Sequence, residues 1–464
     1  MLSCTLAKNL GHKSWYLLIV TICDYNTCIL NVRYVLYSLI RFLHLGENTM
    51  SENVVLSGST ATLGVVEGDL EVGRHAVVKG KGTPPKVSVS GTVYVEGGCV
   101  LQCSLSAENL DARGHAHIGW KSHEDEVTVE GDLEIRNRVN IEDGCLVVFG
   151  SMTAKRVDVD RSLAVKKDFE VDEVDIGGSL KVDGATTARE IDVGGSFKAE
   201  GEVKAESIDV GGSVKIESKV DIEDIDVGGR VEVNGGKVDR VDVGGSFVSK
   251  DSLEFGKINV GGAVKLAGES HGGDIDVGGS CKVDGDLKFG DVDVGGVFVI
   301  SGSAEGADID VGGKVKVGGN LKLSEKLDVG GVADIEEELI AQDIDVGGRL
   351  RARKATANKR ASVGGSIETV EGISASYVRI GRRGRVKGPI KADEAVISRR
   401  AQVEDVYAKI ITLERDAEAR NLYGERIRLE SGCQVYGEVQ YTESLESERG
   451  VSFAKTPQKV DRLS

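Results

Sequence analysis

Between Val174 and Gly365 apolar and charged residues alternate in short bursts, and the bursts recur on a fixed period. The phrase aliphatic–acid–aliphatic–Gly–Gly appears as Val174-Asp175-Ile176-Gly177-Gly178 and again as Ile191-Asp192-Val193-Gly194-Gly195. Its first glycine returns at Gly211, Gly228, Gly244, Gly261, Gly278, Gly295, Gly312, Gly330, Gly347 and Gly364, in steps of 17 apart from one of 16 and one of 18. Within one unit, Ile275, Val277, Cys281, Val283, Leu287 and Phe289 are apolar, and Asp276, Lys282 and Lys288 stand between the members of each pair. Such a triplet is a three-residue strand with two side chains on one face and one on the other. Gly278-Gly279 and Asp284-Gly285 are turn dipeptides between triplets, and the third corner falls near Gly290.

This pattern excludes a helix, because glycine in a helix interior costs about 1 kcal/mol and here two recur in every unit. It also fits a hairpin meander badly, since every copy repeats the same face pattern at the same phase. Stacking each coil on the one before satisfies both constraints. The sequence therefore predicts an all-β, three-sided parallel β-helix (a β-solenoid) of about 17 residues per coil. Right-handed coiling is expected from the rule for parallel crossovers. Val277, Val283, Leu287 and Phe289 should point inward, and Asp276, Lys282 and Lys288 outward.

The flanking segments divide the chain. Residues 1–49 carry Cys4, Cys23 and Cys28 and bulky apolar runs such as Trp15-Tyr16-Leu17-Leu18-Ile19-Val20. Asp24, Arg33 and Arg41 interrupt any membrane span, and Cys23-Asp24-Tyr25-Asn26 is unlike a signal cleavage site. The change of composition points to a mis-assigned start, with Met50 as the true one; a membrane-binding segment is the alternative. Residues 50–160 read as irregular N-terminal coils, in which Val66–Val72 and Val129–Ile135 are near copies and Pro84-Pro85 marks an exposed loop. Residues 161–441 form the regular solenoid, and 442–464 read as a polar tail. Roughly 22 coils at about 4.8 Å each give a stack about 105 Å long.

The formal charge is −17. An acidic rod is a poor nucleic-acid binder, because phosphate contacts need clustered Lys and Arg. The cysteines after Met50 (Cys99, Cys103, Cys145, Cys281 and Cys433) form no CxxC pair and no disulfide framework, which suits a reducing compartment.

The most regular polar feature is an outward acidic column: Asp158, Asp175, Asp192, Asp209, Asp226, Asp242, Asn259, Asp276, Asp293, Asp310, Asp328 and Asp345. Charges stacked about 4.8 Å apart repel by about 0.9 kcal/mol even at the dielectric of water. A basic column on the next strand (Lys181, Lys198, Lys215, Lys265, Lys282, Lys316 and Arg351) is the expected offset. The column reads as a cation-binding or lateral-contact face, or as a solvated face that blocks stray strand pairing. In calcium repeats of the GGxGxD type the acid follows the glycines, whereas here it precedes them.

His115 and His117 alternate on one face, with His123 nearby, but a metal site needs three or four converging ligands. The glycine pairs lack the following helix and lysine of a phosphate-binding loop. No cofactor motif and no nucleophile–base pair is found, and coils of nearly constant length leave no long loop to carry one.

Val378-Arg379-Ile380-Gly381-Arg382-Arg383-Gly384-Arg385-Val386-Lys387-Gly388-Pro389-Ile390-Lys391-Ala392, and likewise Leu429–Val439, resemble the repeats of the bactofilins, polymer-forming cytoskeletal proteins. The resemblance implies a right-handed β-helix that polymerises end to end without nucleotide or cofactor, in the cytoplasm, often on the inner membrane face. The chain departs from the family in its many coils and in its Asp-Val-Gly-Gly phrase. The expected assembly edges are Val66, Leu70 and Val72 at one end, and Ile427 and Leu429 at the other. Two alternatives stand beside this reading. A left-handed β-helix acyltransferase would need hexads, 18 residues per coil and a catalytic histidine, whereas no histidine occurs from residue 124 to 270. A secreted β-solenoid adhesin or surface rod would need an export signal.

Overall fold

The computed structural model describes residues 53–113 and 126–463, together with the backbone of two short strands near the N-terminus, Ser3–Thr5 and Ile19–Thr21. The chain divides into two units, Met1–Glu52 and Asn53–Ser464. In the first, the two strands pair antiparallel, Ser3 opposite Thr21. The rest of residues 1–49, and His115, His117 and His123, lie outside the described residues.

The second unit is a parallel β-solenoid of about 23 turns with about 17 residues per turn, with no helix among its described residues. Its 48 strands form one hydrogen-bonded sheet. Successive coils pair in parallel, as in Val157↔Val174↔Ile191↔Ile208↔Ile225. Six positions per coil face inward, nearly all of them apolar. In the coil from Val174 these are Val174 with Ile176, Leu180 with Val182, and the pair Thr186 and Ala188, all buried. Val277, Cys281, Val283, Leu287 and Phe289 are buried and Asp276, Lys282 and Lys288 exposed, as the alternation predicts. Four fully buried phenylalanines, Phe169, Phe197, Phe247 and Phe298, are the largest side chains of this core.

Two details differ from three separate strands per coil. From Phe169 to Val260 the third strand of one coil and the first of the next run together as eight-residue strands, such as Phe169–Ile176 and Val203–Val210. The third corner lies inside that strand, where two outward residues in succession (Asp172-Glu173) separate the inward Val171 and Val174. Three separate strands per coil occur before and after this stretch, as in Leu70–Val72, Val77–Gly80 and Lys86–Val89, and in Leu287–Lys288, Asp291–Val294 and Val297–Ile300.

The glycine pairs also serve a different purpose from the left-handed turn that glycine usually signals. No pair of the recurring aliphatic–acid–aliphatic–Gly–Gly phrase, from Gly177-Gly178 to Gly364-Gly365, has positive φ. They are needed for room: a Cβ at Gly228 would stand 2.6 Å from the carbonyl oxygen of Gly211 in the coil before. Towards the C-terminus the corner becomes a four-residue turn closed by the N–H of Gly384 donating to the Gly381 carbonyl (3.0 Å) and of Ala401 to that of Ser398 (3.0 Å). There the left-handed residues are Arg383 (φ 62°), Arg400 (φ 61°) and Asp416 (φ 59°).

The irregular N-terminal coils are coils of unequal length. Val54 pairs with Glu71, Leu70 with Val93, and Leu105 with Leu133, which are offsets of 17, 23 and 28 residues. Pro84-Pro85 lies in the exposed loop that lengthens one of them. At the other end the expected polar tail is corrected. Val439–Ser447 continues the stack on Glu418–Leu429, and Ser452–Phe453 and Gln458–Lys459 add to it in register. This segment hides its periodicity because the last coil has a neighbour on one side only. Leu445, Val451 and Phe453 pack against the core while staying partly exposed.

Candidate functional site

The acidic column is built as the period requires. Asp158, Asp175, Asp192, Asp209, Asp226, Asp242, Asn259 and Asp276 are successive register partners. Asp276, Asp293, Asp310, Asp328 and Asp345 continue the same line. Among the described residues the ion pairs that reach this column lie near its two ends, where Arg138 meets Asp158 at 2.7 Å and Lys326 meets Asp328. Asn259 relieves it once, donating to Asp242 at 3.3 Å. Partial burial, then the charges of Asp209 and Asp175, push the Asp192 carboxyl above its ordinary value. Asp226 and Asp310 are raised for the same reasons, the neighbours being Asp209 with Asp242 and Asp328 with Asp293.

The basic column does not offset these aspartates. Its lysines pair with acids at the following corner of their own face: Lys181 with Asp183 at 3.1 Å, Lys198 with Glu200 at 3.2 Å, Lys215 with Glu217 at 2.8 Å and Lys282 with Asp284 at 2.8 Å. Arg351 reaches back one coil to Asp334 at 2.8 Å. The signal was present as Lys-x-Asp or Lys-x-Glu, which places both side chains on one face of a strand two residues apart. Hydrogen bonding from Lys215 holds Glu217 below its ordinary value, and Lys282 does the same for Asp284. Other corner acids accept backbone N–H groups of the next coil, as Asp286 does from Ser303 (2.7 Å) and Asp132 from Ser151 (2.8 Å).

A single row of carboxylates, one per coil, gives no convergent ligand set. Among the described residues no three His, Cys, Asp or Glu side chains gather where they could hold a metal ion. The described cysteines are free; Cys99, Cys103, Cys281 and Cys433 are buried. Burial pushes the Cys281 thiol up to about 12 and Cys103 to about 11, so both stay protonated and unreactive. No helix among the described residues is long and apolar enough to cross a membrane.

The expected assembly edges are partly corrected. Val66 does lie on an edge strand: among the described residues Val65–Val66 pairs only with the next coil. Leu70 and Val72 do not, because Val54–Val55 adds a strand outside them. Ile427 and Leu429 are covered by Leu445 and Ser447 and are fully buried. The sequence places the edges too far inward because the outermost coils lack the clear alternation of the middle. The N-terminal edge consists of Val54–Val55, Thr60–Leu63 and Val65–Val66, with Val54, Leu56 and Val65 56, 72 and 83% exposed. The C-terminal edge is Ser444–Ser447, Ser452–Phe453 and Gln458–Lys459.

Comparison of the chain with family models, with characterised proteins and with solved structures finds no match.

Proposed function

We propose that this protein is a non-enzymatic structural scaffold of bactofilin-like character, which polymerises by stacking the end coil of one copy on the end coil of the next, without nucleotide or cofactor. The observation that carries the reading is the pair of uncovered ends. Among the described residues each end strand is hydrogen-bonded on one side alone, and an unpaired parallel edge is a template for another strand. Apolar side chains accompany both edges: Val54, Leu56 and Val65 at one, and Leu445, Val451 and Phe453 at the other. A head-to-tail contact of this kind does not close, and so it gives filaments. The free, buried thiols suit a reducing compartment such as the cytoplasm, and association with the inner membrane face belongs to the same reading.

Electron microscopy of the purified full chain, with no nucleotide added, tests it. Filaments of solenoids joined end to end are expected. Val54→Lys with Val65→Lys should abolish them, since charge on an edge opposes strand addition, and should leave the fold intact because both side chains are exposed. Particles of single-chain length at every concentration would overturn the reading.

A further inference from the structure

The charge of the solenoid is unevenly divided. Residues 50–348 hold 31 Lys and Arg against 57 Asp and Glu, a net charge of −26, whereas residues 349–430 hold 19 against 11, a net of +8. The change of sign falls on one face. The register line of the acidic column runs on from Asp345 through Ser362 to Arg379, and then through Val396 and Thr412 to Arg428. The corner beside it, glycine pairs along the acidic stretch, becomes Arg382-Arg383, Arg399-Arg400 and Arg415-Asp416. These corners are stacked by the N–H of Arg383 donating to the Arg399 carbonyl (3.0 Å) and of Arg400 to that of Arg415 (3.2 Å). Arg379, Arg382, Arg383, Arg399, Arg415 and Arg428 are exposed, and among the described residues none of their guanidinium groups forms an ion pair. The lysine column, by contrast, is matched by acids on its own face.

We infer that this arginine patch is a docking surface for the aspartate column of a second copy of the chain, in an antiparallel pair. Both signs lie on one face, so a two-fold axis beside Ser362 brings each patch onto the Asp293–Asp345 stretch of the other copy and makes the same contact twice, while the aspartates before Asp293 extend past the other copy's arginines. A parallel, staggered arrangement makes it once. The geometry also selects against other polyanions. Arg379 to Arg428 spans three coil steps, or about 14 Å, and an anionic surface longer than that runs onto the unpaired aspartates. A partner whose sign reverses once beside the contact fits, and the chain itself is such a partner. The pairing depends on exposed charge, so salt weakens it as the screening length falls from about 10 Å at 0.1 M to about 3 Å at 1 M.

The pairing uses a side face and needs neither end of the rod, so it is tested on the full chain carrying Val54→Lys and Val65→Lys, by sedimentation. At low ionic strength the mass should be twice that of one chain, falling to that of one chain at high salt. Arg382→Glu with Arg383→Glu and Arg399→Glu should give single chains. So should Asp310→Lys with Asp328→Lys and Asp345→Lys, or the corresponding Asn set if the lysines prevent folding as judged by circular dichroism. Mixing the Arg→Glu and Asp→Lys proteins should restore the double mass, because one contact is then wild type and the other is charge-swapped. A single-chain mass at low salt overturns the inference, as does a double mass that survives the Arg→Glu changes. Single chains that instead bind phosphatidylserine vesicles or duplex DNA through the same arginines overturn it in favour of a polyanion. Filament formation by the parent chain is read separately by microscopy, so end stacking and side pairing fail or stand independently.

Discussion

An aspartate in the middle of the column is held in two unfavourable ways at once: it is partly withdrawn from water, and it has a like charge one coil above and below. Asp192 carries both, with Asp175 and Asp209 as neighbours. A carboxyl held above its ordinary value is one the folded chain favours protonated. The stability it removes is felt in full above the raised value and is recovered as pH falls below the ordinary carboxylate range. The paired acids act in the opposite sense. Glu217 and Asp284, held low by Lys215 and Lys282, contribute above the ordinary value and lose that contribution as pH falls through their lowered values. Asp192→Asn should therefore raise the denaturation midpoint at neutral pH. The gain should shrink in about 1 M salt, where screening acts within about 3 Å, and vanish in acid. Urea unfolding followed by circular dichroism at two pH values and two salt concentrations checks it; equal midpoints at neutral pH and low salt would remove the repulsion argument.

The coil is the element, and its corners limit what it tolerates. A glycine at Gly228 lets the backbone approach Gly211 more closely than any side chain allows. Gly228→Ala should destabilise by about 1–3 kcal/mol, the range for overpacking against a neighbour that cannot retreat. Hydrogen exchange should place the loss in the adjacent coils, since a solenoid is stabilised mainly by nearest neighbours; protection unchanged from wild type would show that the corner relaxes. The same elements show what could be read in advance. The inward set was legible because alternation at period two and recurrence at period 17 reinforce each other from Val157 to Val363. The continuous eight-residue strands were not, because Asp172-Glu173 reads as a break in alternation while its backbone stays in the ladder. The partners of the lysines were missed for a related reason. Facing columns suggest pairing across a corner, but side chains two residues apart on one strand are nearer. The edges at Leu70 and Leu429 were misplaced because an outermost coil has one neighbour, and its sequence needs less apolar content to stay in place.

On the scale of the whole molecule the corners absorb changes in spacing without disturbing the faces. The step of 16 between Gly228 and Gly244 is taken up at Gly235 and Gly236, both with positive φ, and Gly236 occupies the inward register position of Val220. The step of 18 is taken up between Leu323 and Leu327, since Gly306 pairs with Leu323 at an offset of 17 and Ile309 with Leu327 at 18. After each, the aspartate line resumes. Particle length is therefore counted out in whole turns, and the chain works as a ruler whose graduations are coils. Removing residues 195–261, four turns, joins Gly194 to Gly262 in phase and should give a folded particle shorter by about 19 Å in solution X-ray scattering. Removing eight residues fewer puts charged positions where apolar ones belong and should leave no folded product beyond the junction. A gene encoding such a chain can lengthen or shorten its product by duplicating or losing a turn at a time, and each intermediate length is itself a stable part.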